Sequence, residues 1–104
     1  MVDVDLMAIQ KLLSRGKIKW SLHVIERMEE RGVARPQVLD AIMNGKIIER
    51  RPHNKPNPKY LILNNDETCL FHVSVGMNEK AIYIITVYYP DENRWEADFA
   101  TRKR

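Results

Sequence analysis

The stretch Asn44-Gly45-Lys46-Ile47-Ile48-Glu49-Arg50 decides the fold, because helical spacing of apolar residues stops there and β-branched runs begin. Upstream, Leu6, Ile9, Leu12 and Leu13 recur at helical spacing, with Asp5 expected to cap the start and Gly16 to end the helix. A second helix starts at Ser21, with Trp20 placed to staple against Ile25, and closes at Gly32. Pro36 opens a third, striped by Val38, Leu39, Ile42 and Met43, and Asn44-Gly45 stops it.

Downstream, Ile47 to Arg50, Tyr60 to Leu63, Leu70 to Val75 and Ala81 to Tyr89 read as four strands. The segment Arg51 to Pro58 holds three prolines, which cannot donate to a ladder, and reads as a loop. Asn64 to Glu67 and Met77 to Lys80 read as hairpin turns. The expected fold is α+β, with N-terminal helices packed on one face of a four-stranded antiparallel sheet.

A chain of 104 residues, 44% hydrophobic and 30% charged, suits a single domain spanning 1–104. Residues 1–19 read as an N-terminal helical extension and the basic tail 101–104 as flexible. The one cysteine, Cys69, permits no internal disulfide and no multi-cysteine metal site. With no apolar leader or spanning run, a cytoplasmic protein without a membrane partner is expected.

Net charge is only +3 but unevenly spread. Residues 46–59 hold five cations, Lys46, Arg50, Arg51, Lys55 and Lys59, against Glu49 alone. Residues 91–98 hold four acids against Arg94. That polarity suggests a charged partner, although solvated loops produce the same pattern.

On the second helix His23, Arg27 and Arg31 stand four apart, away from Val24 and Met28. An imidazole at a helix start loses some of its charge and suits a general base, while guanidinium forks suit a phosphate. A plain surface histidine and local pairing of the arginines with Glu26, Glu29 and Glu30 are the alternatives. In the third strand Phe71, Val73 and Val75 point one way and His72 and Ser74 the other. His72 there is either a proton carrier or a structural histidine bonded to its neighbours, and Tyr88 or Tyr89 shares its face according to the hairpin register. Neither a recognisable zinc spacing nor a glycine-rich phosphate loop is found, so no metal and no cofactor are expected.

The order Ser21-x-His23, Arg27, Arg31-Gly32, then Asn44-Gly45, Tyr60-Leu61, His72-Val73 and Thr86-Val87-Tyr88, resembles the prokaryotic domain of unknown function family 4258 from about Lys19 to Trp95. Members of that family are similar to the ribonuclease-like toxins of toxin and antitoxin pairs, with a fold like barnase and the RelE-type messenger interferases. The resemblance implies metal-independent RNA cleavage, in which a ribose 2′-hydroxyl attacks the adjacent phosphorus. His23 and His72 would then divide the base and acid roles, Arg27 and Arg31 would hold the phosphate, and Tyr88 would position the ribose or donate a proton. Lys46, Arg50, Arg51 and Lys55 would follow the flanking backbone, and Tyr60 or Tyr89 would stack a base. RNA and an acidic antitoxin protein are the implied partners, although the modest charge is low for a ribosome-dependent enzyme. The competing expectation is a non-catalytic module that binds nucleic acid or an acidic protein through the basic loop 46–59. It requires the two histidines to lie apart, or to be buried with satisfied partners.

Overall fold

A computed structural model of the chain describes residues 2–104. Helix α1 (Val4–Ser14) is followed by strand β1 (Ile18–Trp20), helices α2 (Leu22–Arg31) and α3 (Arg35–Asn44), and strands β2 (Lys46–Arg51), β3 (Lys59–Leu63), β4 (His72–Met77) and β5 (Ile82–Tyr88). The sheet has five strands in the order β1-β5-β4-β3-β2. Its β2 to β5 ladders are antiparallel, whereas β1 pairs parallel to β5, with Ile18 opposite Ile82 and Trp20 opposite Ile84. The fold is therefore α+β as expected, but the sheet is five-stranded and mixed rather than four-stranded and antiparallel. A three-residue strand is too short to show a period of two. Its partner lies far along the chain, so no turn announces it.

Local chemistry sets the helix ends. Asp3, not Asp5, caps α1 by accepting from the Leu6 amide at 3.2 Å, while Asp5 turns to Arg50. Ser21 Oγ accepts from the Val24 amide at 3.0 Å to start α2. Gly32, at φ 69°, ends that helix in the left-handed region, and the next amide, Val33, reaches back to the Met28 carbonyl at 2.9 Å. The Ala34 amide donates to Gln37 Oε1 at 2.7 Å where α3 begins, with Pro36 in the first turn. At Gly45 a Cβ would collide with the carbonyls of Ala41 and Leu63, so glycine lets the chain turn tightly from α3 into β2.

All three helices lie on one face. Val24 and Met28 from α2, Val38, Ala41 and Ile42 from α3 and Ile9 from α1 share one core with Tyr60, Ile62, Val73, Val75, Ile82, Ile84 and Val87 of the sheet. The segment before Trp20 is thus part of the core through Ile9 and its partly buried neighbours Leu6, Leu12 and Leu13. Cross-strand partners share a face, so the register puts Glu49, Arg51, Lys59, Leu61, Leu63, His72, Ser74, Thr86 and Tyr88 on the opposite, outer face.

The chain after β5 crosses that outer face as a strap. Trp95, only 4% exposed, finds its cover there, and it is bridged antiparallel to Arg102. The Glu96 amide donates to the Thr101 carbonyl at 2.8 Å and the Lys103 amide to that of Arg94 at 2.9 Å. The tail expected to be flexible is accordingly tied down as far as Lys103. Packing the Trp95 ring against His72 removes a large apolar surface from water and carries its bridge partner Arg102 along. Among the described residues no helix is long and apolar enough to cross a membrane.

Candidate site on the outer sheet face

A hollow of about 150 Å³ opens on the outer face between strands and strap. Glu49 and Arg51 of β2, Lys59, Tyr60 and Leu61 of β3, Ser74 of β4, Thr86 and Tyr88 of β5, and Arg102 of the strap line it. Three cations face one carboxylate, and that carboxylate is already committed. Glu49 accepts from Arg102 Nε at 2.5 Å and Nη2 at 3.0 Å, a two-pronged pair that holds its carboxyl below the usual glutamate value despite partial burial. The Arg102 guanidinium also lies over the Trp95 ring, 4.6 Å from its centroid.

His72 lies beside Tyr88, behind the lining of the hollow and under the strap. It is fully buried, and both ring nitrogens are occupied: Nε2 lies 2.7 Å from the Phe99 carbonyl and Nδ1 lies 3.1 Å from the Tyr88 hydroxyl. A carbonyl only accepts, so Nε2 carries the proton and, in the neutral ring, Nδ1 accepts from Tyr88. Burial holds His72 below the ordinary imidazole value, partly opposed by the Phe99 hydrogen bond and the Glu49 charge. Burial likewise raises the Tyr88 phenol. Edge-to-face packing on Trp95 at 4.5 Å and on Tyr88 at 5.2 Å fixes the ring plane. Phe99 itself sits at φ 54°, unusual for a bulky residue, and the Asp98 carboxylate holds that turn by accepting from Ala100, Thr101 and the Thr101 hydroxyl.

The structure does not bring His23 to His72. His23 is exposed on α2, in the helix layer, and His72 is on the far side of the sheet. Arg27 pairs with Glu30 at 3.0 Å on the surface. Arg31 gives its guanidinium to the Val87 carbonyl, in the part of β5 that β1 does not reach. Both arginines therefore have structural employment, and the expected convergence of two imidazoles and a guanidinium is absent. Arg50 points to the helix side, tied to Asp3 and Asp5, and Lys55 is exposed in the loop. Lys46 stands exposed at the other end of β2. The Tyr60 ring is buried in the core at 5% exposure, which leaves no face for a base, and Tyr89 donates to the Arg31 carbonyl at 2.7 Å.

Of the residues expected to act, Arg51 and Tyr88 line the hollow together, and His72 adjoins it through its bond to Tyr88. The register settles the tyrosine question in favour of Tyr88, which lies opposite His72. Sequence reading passed over Glu49, Lys59, Ser74 and Thr86. Their signal was parity, since in correctly registered strands they fall on the same side as His72. Arg102 had none, because it arrives by the strap. Among the described residues no three histidine, cysteine or acidic side chains gather as a metal site.

The family model described as Domain of unknown function (DUF4258) matches residues 20–89, well over half of the chain. The chain belongs to this family. No curated protein and no solved structure matches it. The DUF4258 span carries Glu49, Arg51, Lys59, His72, Ser74, Thr86 and Tyr88, whereas α1 and the Trp95–Arg102 strap lie outside it. One wall of the hollow is thus supplied from beyond the DUF4258 segment.

Proposed function

We propose that the domain binds single-stranded RNA across the outer sheet face, seating a backbone phosphate in the hollow. The observation that carries this reading is the pair Arg51 and Lys59 beside one hollow whose only carboxylate, Glu49, is held by Arg102. Guanidinium and ammonium groups supply the charge for a phosphate, and the hydroxyls of Ser74, Thr86 and Tyr88 supply partners for a ribose 2′-hydroxyl. An open sheet face accepts an unpaired strand more readily than a stiff duplex.

The test is fluorescence anisotropy with a short labelled single-stranded RNA. Joint replacement of Arg51 and Lys59 by alanine should weaken binding by about tenfold or more, and Arg27→Ala should leave it unchanged. Equal loss from Arg27→Ala, or no loss from the double variant, would overturn the reading.

A second reading, metal-independent cleavage of the bound strand as in an RNase toxin held by an acidic antitoxin, is favoured by one feature: Tyr88 is hydrogen-bonded to a neutral imidazole of fixed tautomer. In that step the 2′-oxygen bonds to phosphorus and the bond to the 5′-oxygen breaks. The 2′-proton passes to the Tyr88 oxygen as the phenol proton moves to His72 Nδ1, and the 5′-oxygen takes a proton from solvent. Cleavage in EDTA that leaves a cyclic phosphate, abolished by Tyr88→Phe with RNA binding retained, would establish it. Binding without any cleavage would confine the domain to the first reading.

A further inference from the structure

The outer face does not end at the hollow. Strand register sets Arg51 opposite Lys59, Lys59 opposite Gly76, Gly76 opposite Tyr83 and Tyr83 opposite Lys19, so one row of partners crosses all five strands. Ile18 and Trp20 pack against the core, which leaves Lys19 between them on the outer side, exposed. A bulge in β5 adds to the row. Because Ser74 pairs with Thr86 and Val75 with Ile84, Ile85 has no partner, and both Ile85 and Thr86 stay on the outer face. Ile85 covers Gly76, its Cδ1 3.4 Å from where a Cβ would stand, yet keeps 41% of its surface in water. Tyr83, on the same face, is half-buried, and its hydroxyl accepts from Asn78 Nδ2 at 3.0 Å. Asn78 is itself fixed by the Lys80 and Ala81 amides, so the ring is held before any ligand arrives.

We propose that a single RNA strand seated in the hollow continues along this row, resting a base on Tyr83 and Ile85 and placing a further phosphate at Lys19. The inference rests on RNA binding in the hollow and extends its footprint to the opposite edge of the sheet. Charge and surface alternate as such a ligand requires: cations at Arg51 and Lys59, then an aromatic ring and an exposed aliphatic side chain, then a cation again. Among the described residues neither Lys19 nor Lys59 is paired with a carboxylate, and the row itself contains no acid. Three strand spacings, about 14 Å, separate Lys59 from Lys19, which suits two phosphates with a base between them rather than one small anion. The strap leaves this ground open, since its hydrogen bonds to the sheet go to His72 and Glu49 and not to the row. An acidic peptide would match the charge but offers no planar group to the held ring.

The test is fluorescence anisotropy of the full chain with a labelled oligouridylate of about eight nucleotides, a length within the usual range for such faces. Lys19→Ala, at an exposed position whose change leaves the fold intact, should weaken binding by about threefold or more and reduce the salt slope by about 0.7. Tyr83→Leu should weaken it by about tenfold, and Ile85→Ser, again at an exposed position, by about threefold, both with the slope unchanged. Tyr83→Phe keeps the ring and should bind nearly as the natural chain does. Lys11→Ala, which removes the same charge from the helix layer, should change nothing. Binding that depends on Arg51 and Lys59 but ignores Lys19, Tyr83 and Ile85 would overturn this extension and leave the hollow standing. Binding indifferent to Arg51 and Lys59, or none at all, would remove both. Equal loss from Lys11→Ala, or displacement of the RNA by polyglutamate at equal charge concentration, would reduce the row to a general attraction for polyanions and overturn it as well.

Discussion

His72 shows at the scale of one residue how burial decides chemistry. A fully enclosed imidazole with both nitrogens bonded is neutral and structural first, and any proton it handles must travel through Tyr88. Replacing it by alanine strands the Phe99 carbonyl and the Tyr88 hydroxyl, and a urea titration should show a loss of about 3 kcal/mol. The pH dependence follows from the same burial. With the folded pKa below the ordinary 6.5, the unfolded chain binds more protons as pH falls past that value. Stability is therefore complete above about 6.5 and declines as pH drops toward the depressed folded value. Glu49, held low by Arg102, acts in a separate, more acid window: its contribution is present above the ordinary glutamate value of 4.5 and is lost as pH falls below it. Urea midpoints between pH 7.5 and 5.5, about a unit either side of the ordinary imidazole value, should fall for the natural chain and stay flat for His72→Gln. A slope surviving that substitution would show that another group titrates. That His72 faces away from the Val73 side was legible from strand alternation. That its nitrogens are satisfied was not, because the Phe99 carbonyl comes from a segment without a periodic signal.

Among the elements, α2 follows its sequence most closely, since Ser21 and Gly32 act within a few residues of where they stand. Ser21→Ala and Gly32→Ala should each cost about 1 kcal/mol, the first by leaving the Val24 amide unbonded and the second by placing a Cβ at φ 69°. Strand β1 and the strap were illegible for a common reason. Each is defined by a partner remote in the chain, Ile82 to Ile84 for one and the His72 ring for the other. The strap hangs on few groups, chiefly Trp95 and the Arg102–Glu49 pair, so it should release before the sheet does. Trp95→Ala should speed proteolysis within residues 91–103 by about tenfold while far-ultraviolet circular dichroism stays unchanged. Loss of the dichroism signal together with faster cutting would mean that strap and sheet unfold as one.

For the molecule as a whole, the sheet separates two chemistries that the sequence leaves side by side. The helix layer takes His23, Arg27 and Arg31; Arg27 pairs with Glu30 one turn away, and Arg31 donates to the Val87 carbonyl of β5. The outer face gathers Arg51, Lys59, Tyr88 and, through the strap, Arg102. The row on α2 stands out in the sequence because its spacing is visible within a single helix. The outer-face set is assembled by register across four strands, which single-strand reading does not supply. Binding carried by so few cations should weaken with salt at a slope of about −1 to −2 in log K against log salt, and Arg51→Ala should reduce that slope by about 0.7. A slope untouched by Arg51→Ala would move the phosphate elsewhere. The most direct measurement is amide chemical-shift mapping of the isotopically labelled full chain during titration with a short single-stranded RNA. The account predicts shifts at Glu49, Arg51, Lys59, Ser74, Thr86, Tyr88 and Arg102 and none along His23 to Arg31; shifts confined to α2, or none anywhere, would contradict it.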